Sequence, residues 1–69
     1  MAREYYELRM RIRGKYARIE EFAKALGMST GTLGQKLAGK SEWKRSEIEK
    51  VAELLELTPD EILRYFFNI

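Results

Sequence analysis

The sequence predicts an all-α protein made of five short helices. Apolar residues recur every three or four positions along most of the chain, which is the spacing of one face of an α-helix. Glycines and helix-capping residues divide this pattern into short segments. A chain of 69 residues is expected to form a single domain, close to the lower size limit for a fold without disulfides or metals.

The first helix is predicted over residues 2–13. Leu8, Met10 and Ile12 alternate with arginines, a pattern that an edge strand could also have. Apolar or aromatic residues at positions 5, 8, 12 and 16 follow a helical spacing instead, and arginine, methionine and leucine are good helix formers. We therefore expect a helix in this segment.

Two helices joined by a tight turn are predicted over residues 19–26 and 29–38. Gly27 follows the last apolar residue of the first of these helices, where a left-handed backbone commonly ends a helix. Ser29 is suited to cap the next helix, and Gly39 ends that helix as Gly27 ends the one before. Two further glycines lie inside this helix, although each costs about 1 kcal/mol relative to alanine.

The last two helices are predicted over residues 46–55 and 59–67. Ser46 and Glu49 have the spacing of a capping box, in which each side chain bonds to the backbone N–H of the other residue. Pro59 stands at the first position of the last helix. A backbone N–H at this position would have no hydrogen-bond partner within the helix, so proline can occupy it without loss of a bond.

The composition argues against several classes of function. The chain has no cysteine and no histidine, so it lacks disulfides, the usual zinc ligands and the usual general base. We expect no enzymatic activity, no catalytic residue, and no metal, cofactor or small-molecule ligand. No apolar run approaches the length of a membrane span, and the N-terminus does not resemble a signal peptide. A cytoplasmic protein is expected.

Charge is distributed unevenly along the chain. Residues 1–45 carry 11 Lys and Arg against 5 Glu, a net charge of +6, whereas residues 46–69 carry 2 against 6 Asp and Glu, a net charge of −4. A basic half attracts polyanions such as DNA. Charged residues also solvate the surface of any small helical domain, so charge alone leaves both interpretations open.

The stretch EEFAKALGMSTGTLGQKLAGK resembles the helix-turn-helix of the lambda repressor and Cro-like family, also called the XRE family. The resemblance extends over residues 15–67 and is strongest to small Cro-type regulators of phages of Gram-positive bacteria. Its most specific elements, at fixed relative spacing, are Ala23, Gly27, Met28, Leu33, Gly39 and the segment LTPDEI.

This resemblance implies a compact five-helix DNA-binding domain with a helix-turn-helix formed by the second and third helices. In such a fold the second helix crosses the phosphate backbone and the third enters the major groove. The implied function is sequence-specific binding of double-stranded DNA by a transcriptional regulator that acts as a repressor, in a bacterial or phage-infected cell.

The resemblance assigns base contacts to the outer side of the third helix. Gln35 is the best candidate for reading a base directly, because its amide can donate and accept together at adenine; a solvated surface glutamine is the alternative. The base-contacting set is Thr30, Gly31, Thr32, Gly34 and Gln35. The phosphate-contacting set, which would hold DNA without reading it, is Lys15, Arg18, Ser29, Lys36, Lys40, Lys44 and Arg45.

A domain of this size covers little DNA, so a homodimer on two operator half-sites is expected. The predicted dimer interface is the apolar C-terminus, namely Leu63, Tyr65, Phe66, Phe67 and Ile69. These residues could instead fold back onto the first and fourth helices of a monomer. Trp43 is expected to pack over the core rather than to contact a DNA sugar or phosphate.

The chain also departs from the family pattern. Its second helix begins Arg18, Ile19, Glu20, Glu21 where the family usually has Thr-Gln-Glu-Glu, so a cap and one DNA contact are missing. If Ile19 is exposed beside DNA, its apolar side chain needs an apolar group to contact, which would be a thymine methyl group or a protein partner. Small residues also leave the third helix unusually bare. A protein-binding module of the antirepressor type, or a variant with weakened DNA binding, therefore stays open as an alternative function.

Overall fold

The computed structural model describes residues 5–67, and this part of the chain is α-helical without any strand. The predicted all-α class is therefore confirmed. The helices are α1 (Tyr6–Lys15), α2 (Ile19–Leu26), α3 (Thr30–Leu37), α4 (Arg45–Leu55) and α5 (Pro59–Ile62), which continues as a π-helical segment, Leu63–Phe67.

α1 differs from its predicted range at both ends. It begins at Tyr6 and continues to Lys15, two residues past the predicted end, while residues 2–4 lie outside the described residues. Leu8 and Ile12, one helical turn apart, are both buried. The edge strand that the alternating arginines also allowed is thus excluded, because the helix buries both side chains on its inner face.

α2 has its predicted range, and α3 is one residue shorter than predicted at each end. Gly27 ends α2 with a φ of 81°, and its N–H bonds to the carbonyl groups of Ala23 and Lys24. Ser29 caps α3 as predicted, since its hydroxyl oxygen accepts the backbone N–H of Thr32 at 3.1 Å. The short turn between the helices is therefore determined by residues within it.

The predicted cap of α4 is wrong. The helix begins at Arg45, and the Glu47 carboxylate accepts the backbone N–H of Lys44 at 2.8 Å. Ser46 lies inside the helix, and Glu49 bonds to the Arg45 side chain at 3.3 Å instead. A buried ammonium from α3 also holds the Glu47 carboxylate, a long-range contact that local spacing does not reveal.

The last helical region has the predicted extent but two geometries. Thr58 and Glu61 cap each other: the Thr58 hydroxyl oxygen accepts the Glu61 N–H at 3.2 Å, and the Glu61 carboxylate accepts the Thr58 N–H at 2.9 Å. Residues 59–67 are helical throughout, and Tyr65 and Phe66, in the wider π-helical turn at their end, lie in the core.

The core draws on every helix except α5, together with the π-helical segment. α1, α3 and α4 each contribute two side chains one turn apart, as amphipathic helices do. The buried set is Leu8, Ile12, Phe22, Ala23, Leu33, Leu37, Val51, Leu55, Tyr65 and Phe66. Among residues 5–67, no helix is both long and apolar enough to cross a membrane.

Candidate nucleic-acid interface

The outward side of α3 brings the predicted base-contacting residues together. Leu33 and Leu37 are buried, which fixes the inner side of the helix against the core. Gly34 is half-buried near the boundary between the two sides. The remaining predicted base-contacting residues are exposed, namely Thr30, Gly31, Thr32 and Gln35. α3 thus presents a face of small and polar residues to the outside.

The fold itself does not require the two glycines inside α3. A Cβ atom added to Gly31 or Gly34 would meet nothing within 4 Å. Neither residue has a positive φ. The loss of about 1 kcal/mol at each glycine is therefore not offset by packing or by backbone geometry within the described residues. Their absent side chains leave the backbone of α3 open to close approach from outside.

The N-terminus of α3 is held by a pair of hydroxyl groups. The Ser29 hydroxyl donates to the Thr32 hydroxyl oxygen at 2.9 Å, while its own oxygen accepts the Thr32 backbone N–H. Since its proton is engaged in the cap, Ser29 would have to break this bond in order to donate to a phosphate. Within residues 5–67 the Thr32 hydroxyl donates to no acceptor, which leaves its proton available for a ligand.

The loop after α3 turns back beside Gln35. The Lys40 N–H bonds to the Gln35 backbone carbonyl at 2.9 Å, and the Ser41 hydroxyl lies 3.5 Å from the Gln35 side-chain oxygen. The amide nitrogen of Gln35 makes no hydrogen bond within residues 5–67. A cationic loop residue and an available amide donor therefore lie next to the outward face of α3.

Most of the predicted phosphate-contacting cations are exposed. Lys15 bonds to Glu56 at 3.0 Å and Arg45 to Glu49 at 3.3 Å, and both pairs lie at the surface, where ion pairs contribute little. Three others form no ion pair with any residue between positions 5 and 67: Arg18, Lys40 and Lys44. These three cations are free to contact a polyanion.

Lys36 does not fit its predicted role as a phosphate contact. Its side chain is only 7% exposed, and its ammonium donates to the Glu42 carbonyl oxygen at 2.8 Å. The same nitrogen lies 3.0 Å from the Glu47 carboxylate and 5.9 Å from the centre of the Trp43 ring. The ammonium is therefore directed into the protein, because a carboxylate, a carbonyl and an aromatic ring all receive it there.

Opposing effects act on the Glu47 carboxyl. Partial burial works to raise its pKa, whereas the backbone N–H of Lys44 and the Lys36 ammonium lower it. The contacts with Lys44 and Lys36 outweigh the effect of burial, so the pKa of Glu47 lies below its ordinary value. Glu47 is thus ionised at neutral pH, as the ion pair with Lys36 requires.

Trp43 packs over the core, in agreement with the prediction. Its ring meets Phe66 edge-on with centroids 5.3 Å apart, and Tyr5 in the same manner at 6.2 Å. The indole N–H is buried and has no acceptor within residues 5–67. Trp43 therefore stabilises the loop before α4 by apolar contact rather than by a hydrogen bond.

The predicted dimer interface has to be corrected at its centre. Tyr65 and Phe66 are only 8% and 5% exposed, so they belong to the core of one chain and are not available to a second one. Leu63 and Phe67 are 40% and 53% exposed, and Ile69 lies outside the described residues. The division falls within the π-helical segment, in which Tyr65 and Phe66 face the core while Leu63 and Phe67 stay exposed.

Phe67 also lines an apolar groove that spacing along the sequence did not reveal. The groove lies between the start of α4 and the C-terminal helical region, with a cation and a carboxylate at its edge. Its lining residues are Trp43, Arg45, Ile48, Glu49, Ile62 and Phe67. A long-range juxtaposition of this kind appears only once the helices are packed.

Comparison with known proteins identifies a family to which this chain belongs. No curated protein matches the chain. The model of the family described as "Protein of unknown function (DUF739)" matches residues 1–69, the whole of the sequence. The chain therefore belongs to this family.

Proposed function

We propose that this protein is a sequence-specific DNA-binding transcriptional regulator, and that it represses by occupying an operator. In this proposal α2 and α3 form a helix-turn-helix of the lambda repressor and Cro type. α2 crosses the phosphate backbone while α3 lies in the major groove, which is wide enough for one α-helix. The protein would act in the cytoplasm of a bacterium or of a phage-infected cell.

The observation that carries the proposal is the outward face of α3. Leu33 and Leu37 hold the helix on the core, and its other side exposes threonine, glycine and glutamine side chains. Gly31 and Gly34 have no function in packing, but they would let the helix backbone approach base edges closely. Gln35 would read a base through its free amide donor.

Cations that precede α2 and follow α3 support the same placement of these two helices on DNA. Arg18 immediately precedes α2, and Lys40 and Lys44 follow α3; all three are exposed and lack ion pairs within the described residues. Such residues would neutralise phosphates and fix the protein on the duplex without selecting a sequence. Lys36 is left out of this set because its ammonium is buried.

We further propose a homodimer that forms through the groove beside Phe67. A two-fold interface uses the same patch on both chains, so the patch has to be complementary to itself. This groove meets that condition: its floor is apolar, and its edge carries Arg45 and Glu49, which are both exposed and opposite in charge. In the dimer, Arg45 would exchange its bond to Glu49 of the same chain for a bond to Glu49 of the other chain.

A gel-shift assay tests the DNA-binding proposal directly. The purified chain should retard a random duplex at low salt, and binding should weaken steeply as salt rises, because counterions are released from the phosphates. Selection from a random pool of duplexes should then enrich one operator sequence. If no duplex is bound at any salt concentration, the protein is not a DNA-binding regulator, and the alternative of a protein-binding module gains support.

A further inference from the structure

The outer side of α1 carries a patch of apolar and cationic residues. Tyr6 and Met10 are 69% and 57% exposed and lie one helical turn apart. Arg9 and Arg13 are exposed beside them at the same spacing. Ile19, at the start of α2, completes a shallow depression that all five residues line. We refer to these five residues as the α1 patch.

Neither the proposed DNA contacts nor the proposed dimer groove accounts for the α1 patch. Single exposed apolar residues are common on protein surfaces and need no explanation. Here, however, Tyr6 and Met10 adjoin each other and a third apolar side chain, Ile19, which is half-exposed. Contiguous exposed apolar surface of this kind is typical of an interaction site.

The arginines of the patch differ from the other cations of α1. Arg11 donates to a carboxylate of α5 at 2.7 Å, and Lys15 to the carboxylate that follows α4 at 3.0 Å. Arg9 and Arg13 form no ion pair within residues 5–67. One side of α1 is therefore neutralised by the protein itself, while the patch keeps two positive charges that no residue between positions 5 and 67 pairs.

The composition of the patch favours a protein partner over a nucleic acid. Tyrosine, methionine and arginine are enriched at protein interfaces. A phosphate backbone would bind Arg9, Arg13 and the Tyr6 hydroxyl. It would offer nothing to the apolar side chains of Met10 and Ile19. A helix that carries carboxylates one turn apart next to an apolar stripe complements both kinds of side chain.

We infer that the α1 patch is a docking site for an acidic amphipathic helix of another protein. Carboxylates of that helix bond to Arg9 and Arg13, and its apolar side chains cover Tyr6, Met10 and Ile19. This activity goes beyond the proposed function, since it uses none of the residues assigned to base contacts or to the dimer groove.

A titration followed by NMR tests the inference on the full chain. The probe is a designed helical peptide of about 15 residues in which glutamates one turn apart border a stripe of leucines. The control peptide carries lysine at each glutamate position. The acidic peptide should shift the amide signals of the five patch residues, with a dissociation constant of about 0.1–1 mM for so small a surface. The lysine peptide should shift none of them.

Matched variants separate a specific site from general charge attraction. The double substitution Arg9→Glu with Arg13→Glu should weaken peptide binding by at least about tenfold. Lys24→Glu with Lys50→Glu makes the same change in net charge at exposed positions outside the patch and should leave binding nearly unchanged. Met10→Ser should weaken binding without any change in charge. Circular dichroism of each variant checks that the fold is retained.

Three results would overturn the inference. One is the absence of patch shifts at about 5 mM acidic peptide, well above the expected dissociation constant. Another is equal weakening by both double variants. A third is that duplex DNA, rather than the peptide, shifts the patch signals, which would assign the patch to nucleic acid. Retardation of duplex by the unmodified chain is measured separately, so failure of the docking site and failure of DNA binding are distinguishable.

Discussion

The ammonium of Lys36 lies 3.0 Å from the carboxylate of Glu47 and joins α3 to the first turn of α4 within the protein. The same ammonium bonds to the Glu42 carbonyl oxygen and thereby also holds the loop between these helices. A lysine that resembled a DNA ligand in the sequence is therefore a structural link between the helix proposed to read DNA and the cationic loop that follows it.

Removing one partner of this pair should destabilise the protein. Lys36→Ala leaves the Glu47 carboxylate without its cation, and we expect a loss of about 2 kcal/mol in the free energy of unfolding, at the low end for a pair that is not fully buried. Urea denaturation measures it. Lys15→Ala, which breaks the exposed pair with Glu56, should cost much less, because ion pairs at the surface contribute little. Equal losses in both variants would show that burial adds nothing to the Lys36 pair.

Stability should fall in acid but remain constant near neutrality. In the folded protein the hydrogen bond from Lys15 lowers the pKa of Glu56, and the backbone N–H of Thr58 lowers that of Glu61. Glu47 has a lowered pKa as well. Because the unfolded carboxyls protonate first, the stability they contribute is complete above their ordinary pKa of 4.5 and is lost as the pH falls through the folded values.

The urea midpoint should therefore be flat from about pH 6 to 8, where the chain has no histidine to titrate, and should decline below about pH 5. Glu61→Gln provides the control, since a side chain that cannot ionise should make the decline shallower. A midpoint that rises on acidification would contradict the assignment of these carboxylates.

Alanine at the two internal glycines of α3 should separate stability from DNA binding. Gly31→Ala and Gly34→Ala should each raise the free energy of unfolding by about 1 kcal/mol, because the added methyl group meets nothing and alanine favours the helix. Affinity for the selected operator should decrease if the bare backbone approaches the bases. Gel shifts and urea denaturation of the same variants test both effects. Stabilised variants with unchanged affinity would show that α3 does not approach DNA closely at these positions.

Gln35 and Lys40 should affect DNA binding in different ways. Gln35→Ala should relax selection at one base position, since it removes the side chain proposed to read a base. Lys40→Ala should weaken binding to all sequences about equally and reduce its salt dependence. Repeated site selection and gel shifts over a range of salt concentrations distinguish the two. The reverse result would mean that α3 is placed wrongly on the duplex.

The proposed dimer can be measured without DNA. Sedimentation at tens of micromolar should show a dimer, and Phe67→Ser should shift it to monomer, because Phe67 is 53% exposed and lines the groove. Arg45→Glu should also weaken association, and adding Glu49→Arg should restore it if these residues bond across the two-fold axis. A wild-type monomer under these conditions would rule out constitutive dimerisation.

Local chemistry explains why so many helix boundaries could be predicted. Gly27, Ser29 and Thr58 end or begin helices through bonds to residues only a few positions away, so their spacing in the sequence is sufficient. The start of α4 could not be predicted in this way. Two carboxylates had suitable positions, and the one that caps the helix, Glu47, also binds an ammonium eleven positions earlier in the chain, carried by another helix.

The candidate interface shows the same limit. When the residues of α3 are placed around an ideal α-helix, Leu33 and Leu37 are predicted to face the core and Gln35 to face outward. The structure has Leu33 and Leu37 buried and Gln35 exposed. The same placement cannot show where the long side chain of Lys36 ends, because its stem can reach solvent or turn inward. That direction depends on the acceptors that α4 and the preceding loop supply.

The sequence by itself determined the all-α class, most helix ends and the apolar stripe of each helix, because these depend on the period and the capping chemistry of single segments. Only the tertiary structure decided which residues of different helices adjoin. It placed Tyr65 and Phe66 in the core, opened the groove beside Phe67, and set Ile19 next to Tyr6 and Met10. The physical reason is that contacts between helices depend on how the surfaces of both helices pack. The spacing of apolar residues within one helix does not specify which residues of another helix it will contact.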